Sequence, residues 1–168
     1  MNRALLACLS FVVATIALPS ASARAEFLDF DAKSLAKIRA DNAGRPFILA
    51  LWSIHCAPCR DEMSQWGPLQ RRHPEIPVVL VATDRRTERA RLEKALIGHD
   101  LASIELWAFS DEFEERVRYS IDPKWRGELP RTYLFDASHR AEGRSGPADL
   151  RWIEPWIERQ AKKERKAR

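Results

Sequence analysis

The chain has 168 residues, 45% of them hydrophobic and 31% charged, with a formal net charge of +4. That length supports one domain with a real core, and the composition is that of a folded protein with a well-solvated surface. The distribution of charge argues against a nucleic-acid partner. Arg3 and Arg24 lie in the first 25 residues with no acid, and Lys162, Lys163, Arg165, Lys166 and Arg168 against Glu164 contribute +4 at the end, so residues 26–159 sum to −2.

The N-terminus reads as a secretory leader. Arg3 precedes an apolar run over 4–18, and Pro19-Ser20-Ala21-Ser22-Ala23-Arg24-Ala25 is a small-residue exit with an A-x-A site at Ala23-Arg24-Ala25. Cleavage is expected after Ala25, which removes Cys8. The run is short of the ~20 apolar residues a membrane span needs, so an uncleaved anchor is the alternative. The expected location is periplasmic, an oxidising compartment. Residues 26–159 are expected to form the domain. Residues 160–168 are a basic, solvated, disordered tail, with attraction to anionic lipid as a weaker option.

Within the domain, residues 26–42 read as a lead-in with a short helix near 34–40, closed at Asn42-Ala43-Gly44. The fully apolar run 47–52 predicts a central buried strand. Residues 58–72 predict a helix that Pro68 should kink or end early. A second buried strand covers 78–82. Thr83-Asp84 then reads as the cap of a helix over 85–97, closed by Gly98. A strand at 104–109, a short helix from Ser110-Asp111 to 118, a loop over 122–129 and a strand at 132–135 follow. An edge strand at 140–144 and a helix capped by Asp149 and running to Ile157 complete the chain. Strands and helices alternate first and a hairpin comes last, which predicts an α/β fold with a mixed sheet flanked by helices.

The chemistry concentrates in His55-Cys56-Ala57-Pro58-Cys59-Arg60, between the first buried strand and the helix after it. A Cys-x-x-Cys at a strand-to-helix junction places its first sulfur at unpaired N–H groups and the positive end of the helix dipole, which favours the thiolate. The thiolate is the nucleophile of disulfide exchange. As a structural staple the pair is poor, because the loop it closes is tiny. The two cysteines themselves carry the electrons, so no cofactor and no resident metal is expected.

From these residues the chain resembles the thioredoxin superfamily, and more narrowly the exported TlpA/ResA-like thiol–disulfide oxidoreductases. Leu51-Trp52-Ser53, Cys56-Ala57-Pro58-Cys59-Arg60 and Glu62-Met63 carry the resemblance, together with Leu129-Pro130-Arg131-Thr132-Tyr133-Leu134-Phe135-Asp136 about 70 residues later. It implies a thioredoxin-like three-layer sandwich. It also implies that Pro130 is cis and faces the disulfide, leaving the backbone before it free to pair with a substrate peptide. Three departures stand out. Ala50 occupies the position of thioredoxin's buried aspartate, and Glu62, which matches the acid of the TlpA/ResA type, is the obvious substitute. His55 replaces the usual tryptophan before the first cysteine. The segment 121–129 is longer than the tight loop normally found before the cis-proline.

On this reading Cys56 is the exposed attacking thiolate and Cys59 the buried resolving thiol. Glu62 either moves protons for Cys59 or merely complements the helix dipole. His55 either stabilises the Cys56 thiolate, acts as a base, or is a surface residue. Trp125 is expected on a peptide-binding lip, and Arg131 is either solvated or a contact for an acidic partner. The expected activity is reduction of protein disulfides by a monomer, with a membrane electron donor restoring the dithiol. Targets in cytochrome c maturation or metal-site assembly fit. The alternatives are a disulfide-donating oxidase and a Cu(I) chaperone using both thiolates with His55 or His139. A peroxidase-like role for Cys56 is the weakest.

Overall fold

The computed structural model describes residues 26–167. The leader assigned to residues 1–25 lies outside the described residues. In chain order the elements are β1 (Leu28–Phe30), α1 (Ser34–Asp41), β2 (Phe47–Trp52), α2 (Ala57–Arg72), β3 (Val78–Arg85), a 3-10 turn (Arg86–Glu88), α3 (Arg89–Ala95), β4 (Glu105–Phe109), α4 (Glu114–Ile121), β5 (Arg131–Phe135), β6 (Ala141–Ser145) and α5 (Leu150–Ala167).

The six strands form one sheet in the order β1-β4-β3-β2-β5-β6. Strands β1 to β4 pair in parallel, and β5 and β6 are antiparallel. All six residues of β2 are fully buried, because helices cover both faces of the strand. Alternate residues divide the core. Ile48, Ala50 and Trp52 face α2 and α5 with Met63, Trp66, Ile153 and Trp156, while Phe47, Leu49 and Leu51 face α1 and α4 with Leu35, Ile38 and Val117. The result is a three-layer α/β sandwich whose central strand delivers the chain to Cys56.

Several elements differ from the expectation. Strand β1 lies in the lead-in, where the sequence predicts only the short helix. It has three residues, two of them exposed, and is held by parallel pairing with Trp107 to Phe109 of β4. Asp84 does not cap a helix: β3 runs on to Arg85 through a register shift between Ala82 and Arg85, and α3 begins at Arg89. Pro68 does not end α2, which continues to Arg72. Beside it, a Cβ on Gly67 would lie 2.0 Å from the Asp100 carbonyl oxygen, so glycine is what lets the 96–104 segment close against α2. Helix α5 passes Ile157 and runs to Ala167 where a frayed tail was expected. Gln160 is buried at its last anchoring turn, and the residues beyond it, rich in alanine, lysine, glutamate and arginine, are strong helix formers.

Candidate redox site

The site is built at the carboxyl end of β2. Cys56 is the N-cap of α2 with an extended backbone (φ −100°, ψ 104°), Ala57 and Pro58 fill the first turn, and Cys56 Sγ accepts the Cys59 N–H at 3.2 Å. Pro58 has no N–H to leave unsatisfied there and its fixed φ suits a helix start. Cys56 and Cys59 form a disulfide with Cα atoms 5.2 Å apart. Cys56 is half-buried and Cys59 fully buried, so an incoming sulfur has access to one side of the bond. Arg60 ties the approach to the helix by donating from Nη1 to the Ile54 carbonyl at 3.0 Å.

Glu62 lies three residues beyond Cys59 on the same helix face and is 1% exposed. Its Oε2 accepts the Ala148 N–H at 2.7 Å, while Oε1 has no hydrogen-bond partner. Burial pushes its carboxyl up to about 7, against the pull of the Ala148 N–H and of the nearby Trp66 indole. Trp52 Nε1, Trp66 Nε1 and Thr132 Oγ1 are also buried without partners, and all belong to residues on this face of the sheet. The carboxyl is thus a buried titratable group on the same helix as Cys59, one turn further on.

The Leu129–Pro130 peptide bond is cis. Arg131 pairs with Leu51, so Pro130 lies at the same end of the sheet as the Cys-x-x-Cys. The Pro130 carbonyl accepts the Gly146 N–H at 2.9 Å, and Ala148, two residues on, is the partner of Glu62. One short loop before α5 thus touches both the proline and the buried acid.

Arg131 is neither loosely solvated nor held out for a partner. It donates to Ser145 Oγ at 3.1 Å and pairs with Asp122 at 3.3 Å, and its guanidinium stacks 4.7 Å from the Tyr133 ring centre. Tyr133 also donates to Asp122, at 3.1 Å, and burial raises its hydroxyl pKa. Trp125 is not on a lip. It is 5% exposed in the core under α4, and its indole N–H donates to the Glu128 carbonyl at 3.0 Å, closing the loop on itself. The bulky ring gives that loop its own anchor, so extra length does not mean extra reach.

His55 is exposed beside Cys56, but its Nε2 is engaged by Glu88 at 3.1 and 3.2 Å and lies 3.8 Å from Asp84 Oδ1. Asp84 accepts the Ser53 hydroxyl at 2.8 Å and the Ile54 N–H at 3.2 Å, holding the loop that presents the cysteines. Burial raises its carboxyl pKa. The sequence reading missed Asp84 and Glu88. The signal that would have found them is position, since sites in α/β sheets gather outside the carboxyl ends of parallel strands. His139 is not part of the site: it sits in the turn after β5, edge-on to Phe47 at the opposite end of β2, with Nε2 2.9 Å from the Asn42 carbonyl. It cannot join Cys56 and Cys59 in a copper set.

No known protein family and no curated protein matches the sequence. Solved structures do match. DsbF of MTB aligns over 71% of this chain and 84% of its own at 15% identity and a TM-score of 0.58. A thioredoxin-family thiol:disulfide interchange protein from Chlorobium tepidum covers 73% and 83% at 17% identity and 0.57. A secreted Mycobacterium tuberculosis disulfide oxidoreductase homologous to E. coli DsbE covers 70% and 84% at 15% identity and 0.55. At these identities the likeness is one of fold, and the fold is thioredoxin-like.

Proposed function

We propose that this protein is an exported thiol–disulfide oxidoreductase that acts as a monomer and reduces disulfides in other proteins. The observation that carries the reading is the half-buried Cys56 sulfur at the N-cap of α2, joined to a fully buried Cys59 and backed by Glu62. In the reduced protein the Cys56 thiolate attacks a substrate disulfide, forming a mixed disulfide and releasing one substrate thiolate. Cys59 loses its proton to Glu62 and attacks Cys56 Sγ. The second substrate thiolate leaves, and two electrons have passed to the substrate as the Cys56–Cys59 disulfide closes. A carboxyl near 7 gives up or takes a proton with little cost in either direction at neutral pH. The Leu129 backbone, before Pro130, is the surface offered to an extended substrate segment. A membrane-held dithiol restores the pair, and cysteines awaiting haem or copper are fitting targets.

Export rests on the leader sequence and on the secreted relative of the same fold. Among the described residues no helix is long and apolar enough to cross a membrane. The test is the redox potential of the Cys56–Cys59 pair together with trapping by Cys59→Ser. A potential near thioredoxin's, about −270 mV, with mixed disulfides accumulating on the variant supports the reductase. A potential near DsbA's, about −120 mV, reverses the direction to an oxidase. The absence of a two-electron couple overturns both.

A further inference from the structure

His55, Asp84 and Glu88 come from three separate elements: the β2–α2 loop, the end of β3 and the turn before α3. One donor atom from each lies within 4.8 Å of the others, and no other trio of His, Cys, Asp or Glu does so among the described residues. The Asp84 side chain is 1% exposed and the Glu88 side chain 23%, while His55 stands at the open side at 58%. Asp84 is fixed by two neutral donors, Ser53 Oγ–H on Oδ1 and the Ile54 N–H on Oδ2. Each carboxylate oxygen has two acceptor sites, so both oxygens keep one to offer. Arg91 donates to Oε1 of Glu88, and both Glu88 oxygens face His55 Nε2, Oε1 at 3.2 Å and Oε2 at 3.1 Å. Two carboxylates, one of them also paired with Arg91, therefore converge on one imidazole nitrogen, a mixed nitrogen and oxygen donor set around one point.

The geometry points to a site for a zinc-class divalent cation formed by His55 Nε2, Asp84 Oδ1 and Glu88 Oε2. Zinc bonds of about 2.0–2.2 Å place tetrahedral donors roughly 3.3–3.6 Å apart. The imidazole nitrogen is already 3.1 Å from Glu88 Oε2 and 3.8 Å from Asp84 Oδ1, and one donor atom from each of the three residues lies within 4.8 Å of the others, so side-chain movements of up to about an ångström bring the trio to that spacing. A nitrogen with two carboxylates suits zinc and its neighbours, whereas calcium takes six to eight oxygens and magnesium is bound mainly through carboxylates, phosphates and water. Three protein donors leave the fourth position open, and the ion stands beside Cys56, the residue after His55. The donors are nitrogen and oxygen alone, so the site requires no reduced thiol and does not rest on the redox reading.

The test uses the purified protein with its disulfide intact, stripped of metal and titrated with Zn²⁺ by calorimetry, with Mg²⁺ as the control ion. One equivalent of Zn²⁺ is expected to bind and Mg²⁺ is not. His55→Ala and Glu88→Gln, both at accessible positions, are each expected to weaken Zn²⁺ at least about tenfold, and His99→Ala to leave it unchanged. Three results overturn the site: no Zn²⁺ binding by the oxidised protein, unchanged affinity in both His55→Ala and Glu88→Gln, or binding that appears only after reduction and is lost in Cys56→Ser but not in Glu88→Gln.

Discussion

Replacing Glu62 by glutamine is expected to remove a pH-dependent loss of stability. The carboxyl is 1% exposed, and burial raises it from 4.5 to about 7. The sign follows from which state holds more protons. Below the unfolded value the group is protonated in both states and contributes no slope. Between 4.5 and about 7 the unfolded chain ionises while the folded chain keeps its proton, so stability falls with rising pH by about 1.4 kcal/mol per unit. Above that window both states are ionised and the loss is complete, at about 3 kcal/mol. Glutamine has no such window. Its carbonyl can still accept the Ala148 N–H, while its amide stands where Oε1 has no partner, a cost of about 1–3 kcal/mol that is the same at every pH. Urea unfolding of the oxidised wild type and Glu62→Gln, followed by tryptophan fluorescence from about pH 4 to about pH 9, separates the two contributions. The variant should gain on the wild type by about 3 kcal/mol across the window and then level off. A difference that stays flat across the whole range would refute the claim that this carboxyl is buried at the cost of its charge.

Gly67→Ala should destabilise by about 1–3 kcal/mol or more, because the new methyl meets the Asp100 backbone at 2.0 Å and backbone yields poorly; a midpoint in urea equal to the wild type's would contradict that approach. Trp125→Ala should cost about 3–5 kcal/mol, since a core ring is lost, whereas a ring on an exposed lip would cost little; thermal unfolding decides between them. Asp84→Asn should lose about 1–3 kcal/mol, because the Ser53 hydroxyl and the Ile54 N–H bond to different carboxylate oxygens and an amide puts an NH2 donor in place of one of those acceptors. Reactivity of the reduced Cys56 toward an alkylating reagent should change with it, as the loop presenting the sulfur loosens. Stability and reactivity both unchanged would remove Asp84 from the support of the site.

The redox motif was legible in the sequence because its chemistry is local. Cys56, Pro58, Cys59 and Glu62 lie within two turns of one helix, and a buried apolar strand before them is enough to aim the sulfur at the helix N-terminus. The core of the sheet was legible for a similar reason: runs such as 47–52 and 78–82 carry their burial in their own composition. Helix α5 beyond Ile157 is made of strong helix formers, yet the same run of basic residues also reads as a solvated tail, and the composition alone does not separate the two.

Contacts between distant residues were decided only by the tertiary structure. Asp84 reaches Ser53 across 31 positions, and Glu62 meets Ala148 across 86. Strand β1 exists through its pairing with β4, and Trp125 is core because α4 and the sheet close over it. None of these leaves a periodicity or a spacing in the chain, since each depends on which elements the fold sets side by side. The identity of the sulfur chemistry is thus written in one short segment, whereas the carboxylates around it become neighbours only when parallel strands bring their ends together.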